Sequence, residues 1–421
     1  YGTGNGFEVA FNTSLADSSC DAFLTHDVAR GIIERITAQD LFISEYLGNS
    51  FTSVIYPFQG CGSFLANMLG LHLRGYSLAD KPLQMSMQDW WDGINPLHCL
   101  GLGYEKVGGV DKIVCEFVDH FFDDSAVSIR FMNIADIKRS YDTEWQFNQL
   151  EFGNTKWQSQ AATGIGSPSG IDDPQSQRSW TTRFKIIGKK LSQLSKWVLA
   201  SLTIETTRRV GINQSSNYTY DNDVFGIALF DNGGSLIPET DENFSLITNL
   251  LNSPTRYNSS MTPARSLLRW RKYWSGCLQD YLASFVNFAS GVGNFLMTST
   301  KTTACPGDSM GNSVPENGNF PIPNDYLFLP TPLEINHYID WPTYKVLRDH
   351  KNLAIEISQT EAGFTKCFIK TFEYDKTNGK CSMVVWPKTK FTIQELESMA
   401  VGGERTPGVR YFEIAFGPEF E

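Results

Sequence analysis

The chain has 421 residues, 41% of them apolar and 19% charged, and a formal net charge of -11. That length accommodates two or three domains with real cores, and that balance excludes a disordered polymer. The acid excess argues against a polyanionic partner, and no run is long and apolar enough for a membrane-spanning helix; the longest candidate, residues 285–297, carries Asn287, Ser290 and Asn294.

The chain opens at Tyr1 without Met or an apolar leader-like run, which leaves processing, truncation or a leader as alternatives. Residues 27–36 ("DVARGIIERI") place Val28, Ile32, Ile33 and Ile36 on one helical face. Residues 88–97 form a short helix with Trp90 and Trp91 that Pro96 should stop. Residues 110–122 and 126–131 alternate as strands, with Asp123-Asp124 as the turn. Residues 158–179 ("QSQAATGIGSPSGIDDPQSQRS") read as a loop or linker. Strands are expected at 181–187, 197–206 and 224–230, with Asn232-Gly233-Gly234 as a turn.

Thr262-Pro263 is a good helix start, with Thr at the cap and Pro in the first turn. The pattern predicts one long helix near 263–288, roughly 39 Å at ~1.5 Å per residue, ended by Gly291 and Gly293. Residues 298–332 read as irregular. The last block holds a short helix after Pro342 and strands at 353–358, 363–374 and 380–386. The fold class is thus α+β and β-rich: an N-terminal α+β domain (1–157), a linker (158–180), a central β domain with the long helix (181–297), an irregular loop (298–332) and a small C-terminal β domain (333–421).

Chemistry-bearing motifs are few. "GDSMG" at 307–311 matches G-x-S-x-G, but "NSVPENGNFPIP" after it cannot supply the helix that would expose Ser309 as a nucleophile. "GTGNG" at 2–6 lacks the strand and helix of a phosphate loop. The six histidines show no metal-ligand spacing, although His120 lies near Asp123 and Asp124. Asp221 and Asp223 in "YDNDVF" read as a solvated acidic turn, since the further oxygen ligands of a calcium loop are missing. The eight cysteines (Cys20, Cys61, Cys99, Cys115, Cys277, Cys305, Cys367, Cys381) form no C-x-x-C pair and read as reduced, buried thiols of cytosolic synthesis. A two-residue turn at Asn378-Gly379 would set Cys381 opposite Lys376, not Cys367. No catalytic residue, metal or cofactor is expected.

Charge order is the strongest signal. Residues 210–255 hold six acids (Asp221, Asp223, Asp231, Glu239, Asp241, Glu242) and no Lys or Arg. Residues 254–307 hold Arg256, Arg265, Arg269, Arg271, Lys272 and Lys301 against the single acid Asp280. In "MTPARSLLRWRKYW" (261–274), Arg265, Arg269 and Lys272 fall at i, i+4 and i+7, a stripe along the helix accompanied by Trp270 and Trp274. Two readings stand level. A subunit interface would set this basic, Trp-bearing helix against the acidic segment (Asp221, Asp223, Glu239, Asp241, Glu242) of a neighbour; alternatively, both patches pair within one chain or are solvated faces.

The runs "FLTHDVARGIIERITAQDLFISEYLG", "LRGYSLADKPLQMSMQDWWDGINPLHCLGLGYE" and "KWVLASLTIETTRR" with "YDNDVFGIALF" resemble, in order and texture, tail-hub or baseplate-type virion proteins of tailed phages infecting Bacteroidetes, including crAss-like phages. The resemblance covers residues 23–230 and the C-terminal β block. It implies β-barrel-like domains and a non-enzymatic structural subunit that forms a homo-oligomeric ring with other tail proteins. It further implies DNA only as passing cargo, and a place in the virion tail after synthesis in the host cytoplasm. The alternative is a carbohydrate-binding or carbohydrate-degrading surface protein, with tryptophans such as Trp90 and Trp91 stacking on sugar rings.

Overall fold

A computed structural model describes residues 19–48, 64–79, 81–132, 134, 137–156, 177–182, 189–211, 218–231, 236–239, 245–246, 257–278, 285–289, 297–300, 313–358 and 364–388. In chain order they form β1 (Phe23–Leu24), α1 (Thr25–Thr37), β2 (Phe42–Ile43), β3 (Leu65–Leu69), α2 (Gly70–Leu73), α3 (Met87–His98), β4 (Leu100–Val107), β5 (Val110–Phe117), β6 (Asp123–Phe131) and β7 (Ile137–Arg139). Next come β8 (Gln149–Asn154), β9 (Arg178–Thr181), β10 (Lys190–Ser195), α4 (Ser201–Val210), β11 (Val224–Asp231), β12 (Leu236–Pro238) and β13 (Ser245–Leu246). The remainder is α5 (Pro263–Arg269), α6 (Arg271–Ser275), β14 (Phe285–Phe288), β15 (Met297–Thr300), β16 (Ser313–Pro315), β17 (Phe320–Pro321), β18 (Leu333–Tyr338), α7 (Trp341–Asp349), β19 (Leu353–Ile357), β20 (Thr365–Asp375) and β21 (Lys380–Pro387).

The fold is a β-rich α+β arrangement of several sheets, ordered β1-β3-β11-β12, β10-β8-β9-β14-β17, β13-β15-β16, β6-β19-β20-β21-β18-β7 and β2-β5-β4. Among the described residues three strand pairings are parallel, β10 with β8, β19 with β6 and β2 with β5. Among the described residues no sheet closes into a barrel, which corrects the β-barrel expectation. The expected C-terminal block is also not self-contained. Its sheet takes β6 and β7, at the two edges, from before residue 157, so the boundary at 333 runs through a sheet.

The long helix is corrected too. It stops after α5 and α6, passes through a 3-10 turn at Gly276–Leu278, and residues 285–288 are a strand. Gly276 is the local reason: a Cβ there would lie 1.9 Å from the Phe328 carbonyl oxygen, and glycine is a poor helix former in any case. The aromatic and β-branched run "FVNF" then pairs with β9 and β17, as such residues favour. The start is as expected, with Thr262 Oγ1 accepting from the Arg265 N–H at 3.4 Å.

Pro96 does not stop α3. Proline lacks the N–H that would reach the Asp92 carbonyl, and the Lys196 N–H fills that place at 3.2 Å. The helix therefore continues to His98 and ends at Cys99, which is left-handed at φ 54°. Residues 197–206 are also not a strand. α4 buries Thr203, Ile204 and Thr207 at helical spacing, and the Thr207 hydroxyl back-bonds to the Thr203 carbonyl at 2.8 Å. Asp123 and Asp124 lie in β6 instead of a turn. Arg178, Ser179 and Trp180, expected in the linker, lie in β9, while residues 158–176 of that linker fall outside the described residues.

The C-terminal strands fall close to their expected places. The turn after β20 is longer than two residues, so Cys381 faces Tyr374, and Cys367 faces Pro387. A register shift between Ile369 and Thr371 changes the parity of β20. Cys367 and Ile369 before it, and Phe372 and Tyr374 after it, thereby share the face that α7 covers with Tyr344 and Leu347. On the other face, Phe368 and Trp386 meet Phe122, Trp145 and Phe328, with Phe328 and Trp386 stacked at 4.2 Å and 8°. That aromatic weld joins the six-stranded sheet to the central core.

Candidate functional site

The sequence left the helix at 261–274 as either a subunit-docking stripe or a patch paired within the chain or solvated, and the structure places most of it inside. Arg265 and Arg269 are 0% and 1% exposed, and Trp270 and Trp274 are buried. Arg269 Nη1 donates to the Leu97 carbonyl at 3.0 Å and Nη2 to the Ser260 carbonyl, while Trp270 Nε1 donates to the Pro96 carbonyl at 3.1 Å. A helix C-terminus leaves carbonyls without intrahelical partners and carries negative partial charge. Arg269 and Trp270 therefore cap the end of α3, a task that a surface charge pattern does not reveal. Trp274 Nε1 donates to the Leu267 carbonyl at 3.0 Å.

Two nominated bases stay half-buried at the surface, Arg271 and Lys272. Lys272 Nζ pairs with Asp119 at 2.6 Å and Asp325 at 3.2 Å, both in its own chain. Burial lowers the lysine pKa, but the bonds and charges of the two aspartates outweigh it and leave it above the ordinary value.

The acidic segment is likewise used internally. Asp221 is buried, not a solvated turn: both carboxylate oxygens accept from Arg74 Nη1, at 2.7 and 2.6 Å, and Oδ2 accepts the Tyr218 N–H at 2.9 Å. Asp223 pairs with Lys156. Glu239 Oε2 accepts from the Ser260 hydroxyl at 2.6 Å and its N–H at 3.3 Å, one turn before α5. Asp241 and Glu242 lie outside the described residues. The acidic and basic windows thus meet internal partners at Asp221, Asp223, Glu239, Arg269 and Lys272, and the stripe of Arg265, Arg269 and Lys272 is not a surface feature.

The other nominated groups resolve in the same direction. Trp90 is fully buried, its Nε1 donating to the Thr25 carbonyl at 3.0 Å, so it offers no face to a sugar. His120 Nε2 meets Glu105 Oε1 at 2.8 Å instead of gathering Asp123 and Asp124. His72 is a satisfied core histidine, accepting from the Leu69 N–H at 3.1 Å and bonding to the Lys81 carbonyl at 2.6 Å. Ser309 and residues 2–6 lie outside the described residues. The six described cysteines are free thiols, and burial pushes Cys99, Cys115, Cys277 and Cys367 well above the ordinary thiol range.

Among the described residues, four of the thirteen exposed large hydrophobic side chains fall on one hairpin. β4 and β5 pair from Leu100↔Phe117 to Val107↔Val110 and are joined by Gly108-Gly109, at φ 60° and 85°. Both positive φ values match the primed turn that right-handed strand twist requires. β4 reads "LGLGYEKV". Its odd face is covered by Phe121, whose ring would lie 2.1 Å from a Cβ at Gly101 and 2.7 Å from one at Gly103. Its even face leaves Leu102 44% and Tyr104 70% exposed, and Val107 and Val110 are exposed beside the turn. Among the described residues β4 is also the edge of its sheet. Sequence reading missed this strand. The signal was "VGGV", a two-glycine hairpin between alternating residues, with small and large residues alternating before it.

A second exposed group lies on α7 and the end of β20. Tyr344 stacks on Trp341 at 4.9 Å and on Tyr374 at 4.7 Å, and Lys376 Nζ lies 4.4 Å from the Trp341 ring centroid. Tyr338, at the end of β18, is 71% exposed. A shallow groove of about 370 Å³ runs between Tyr141, Asp142, Glu334 and Lys370, but its Asp142 and Lys370 pair with each other at 3.0 Å. Compared with known proteins, the chain matches no family model, no curated protein and no solved structure.

Proposed function

We propose that this chain is a structural subunit of a bacteriophage tail, of the hub or baseplate kind, assembling with copies of itself and with other tail proteins around the path of the DNA. The observation that carries the reading is the β4–β5 hairpin, where Leu102 and Tyr104 stand exposed on one face of a strand that is an edge among the described residues, and Val107 and Val110 on the other face beside the turn. Exposed apolar surface gathered on one element marks protein association, whereas scattered single residues do not. The tail assignment itself rests on the resemblance of residues 23–230. A net charge of -11 suits a subunit beside a DNA path, because it repels the polymer instead of binding it.

The test is incorporation into tails. Co-expressed with the proteins encoded beside it, the chain should co-purify with tail particles, and a Leu102→Lys/Tyr104→Lys variant of unchanged far-UV circular dichroism should not. Absence of the wild-type chain from every tail particle overturns the reading.

The alternative, saccharide binding, moves from the buried Trp90 to the stacked group of Trp341, Tyr344 and Tyr374. Glycan-array binding that is lost on Trp341→Ala would support it.

A further inference from the structure

An apolar edge strand is a template for unwanted pairing, and folded chains guard such edges with charged side chains, lysine above all. β4 has such a guard. The Ile113 N–H turns away to the Leu41 carbonyl of the chain leading into β2, at 2.8 Å. Tyr104, opposite Ile113, therefore sits at a pair that exchanges no hydrogen bonds and turns its own N–H and C=O outward. By the same alternation Leu102 and Lys106 turn outward as well.

Two residues of the turn between α7 and β19 close on this edge. Lys351 Nζ donates to the outward Tyr104 carbonyl at 2.5 Å, and Asn352 Nδ2 donates to Glu105 Oε1 at 2.6 Å, the oxygen that also meets His120 Nε2 at 2.8 Å. The turn is itself anchored, since the Asn352 carbonyl accepts the Asp123 N–H at 3.0 Å and the Leu353 N–H reaches the His350 carbonyl at 3.1 Å. Tyr104 thus presents an exposed ring while its carbonyl is occupied.

Resting on the assembly reading above, we infer that Lys351 and Asn352 form an autoinhibitory contact that keeps the β4 edge of the free subunit from pairing with the β4 edge of a second copy. β4 is self-complementary in one antiparallel register, about Gly103. There Leu102 faces Tyr104 of the other copy, both outward-facing and both exposed on the same face, so their backbones exchange hydrogen bonds while their side chains form an apolar quartet. Glu105 then faces Gly101 and Lys106 faces Leu100, so no like charges oppose. The occupant is a second copy because the strand matches itself. The guard acts at the centre of that match, since pairing needs the Tyr104 carbonyl that Lys351 holds.

The experiment is sedimentation velocity on the purified full chain over a concentration series. Lys351→Ala/Asn352→Ala should self-associate at least tenfold more tightly than wild type, and adding Leu102→Lys should return it to wild-type behaviour. Lys351→Met, which keeps the aliphatic stem and removes the donor, should show a smaller shift in the same direction and guards against a folding defect in the double variant. The amide of Leu102 should gain hydrogen-exchange protection with concentration only in the unguarded chain. Wild-type sedimentation of both unguarded variants, with unchanged circular dichroism, overturns the inference. Self-association that persists with Leu102→Lys overturns it as well, by locating the contact elsewhere. An unguarded chain that self-associates yet enters no tail particle refutes the tail assignment and leaves the guard standing.

Discussion

Asp221 separates an interface acid from a core acid, and the two predict different energies for one substitution. As part of a solvated acidic face, Asp221→Ala would change stability by no more than about 0.5 kcal/mol. The structure instead makes Asp221 the counter-ion of Arg74, whose side chain has no exposure, while that of Asp221 is 8% exposed. Two unit charges about 4 Å apart attract by roughly 4 kcal/mol at an effective dielectric constant near 20. Desolvation of both ions costs several kcal/mol, so the intact pair is close to neutral in stability. Truncating one partner removes the attraction and leaves the desolvation of Arg74 in place, which costs about 3–5 kcal/mol. The Tyr218 N–H loses its acceptor in the same step. The Arg74 Nε bond to the Gly211 carbonyl, at 3.2 Å, survives and recovers only a small part.

Guanidinium unfolding followed by tryptophan fluorescence would show a loss of about 3–5 kcal/mol for Asp221→Ala. A paired Arg74→Met/Asp221→Leu replacement should lose less than the single variant, because it removes the buried cation together with its counter-ion. A cost below about 0.5 kcal/mol for Asp221→Ala would refute the burial argument and return Asp221 to the surface.

Gly101→Ala should cost about 1–3 kcal/mol by thermal denaturation, since the new Cβ meets the Phe121 ring, and a second change, Phe121→Ala, should recover part of that loss. Phe328→Ala should cost about 3–5 kcal/mol and raise hydrogen exchange in β20 and β21 together with α6, because the ring welds the six-stranded sheet to the core; exchange confined to one side would contradict the weld. Glu116 titrates above the ordinary carboxylate value because burial outweighs the N–H groups of Glu45 and Tyr46 that it accepts. A raised carboxyl pKa means that the fold favours the protonated form. Its contribution is fully present below the unfolded value and lost as pH rises through the folded one, so wild type should lose stability relative to Glu116→Gln over that rise. An identical pH dependence of the two would remove burial as the cause.

Local pattern sufficed for much of the secondary structure. α1, α3, the start of α5, α7, β11 and the strands β19 to β21 follow from periodicity, caps and turns that lie within a few residues of one another. Where a partner remote in sequence acts, sequence reading went astray. Pro96 should end a helix, yet Lys196, a hundred residues away, supplies the missing donor. The pattern after α5 looked helical, but Gly276 packs against Phe328 and the chain turns. β4 was legible in "VGGV" but lay hidden behind the apparent continuity of the strand that follows it.

The candidate site divides along the same line. Composition and charge order alone establish an acidic, aromatic-rich, folded chain with an acidic block beside a basic one. Only tertiary structure decides that Arg269 caps α3, that Asp221 neutralises Arg74, and that Lys351 reaches the Tyr104 carbonyl. Sequence records which residues carry charge or apolar area. Whether a charge meets water, a helix end or a counter-ion depends on elements brought together from 147 to 247 residues apart, and that meeting put Arg265 and Arg269 in the core and left a short hairpin exposed.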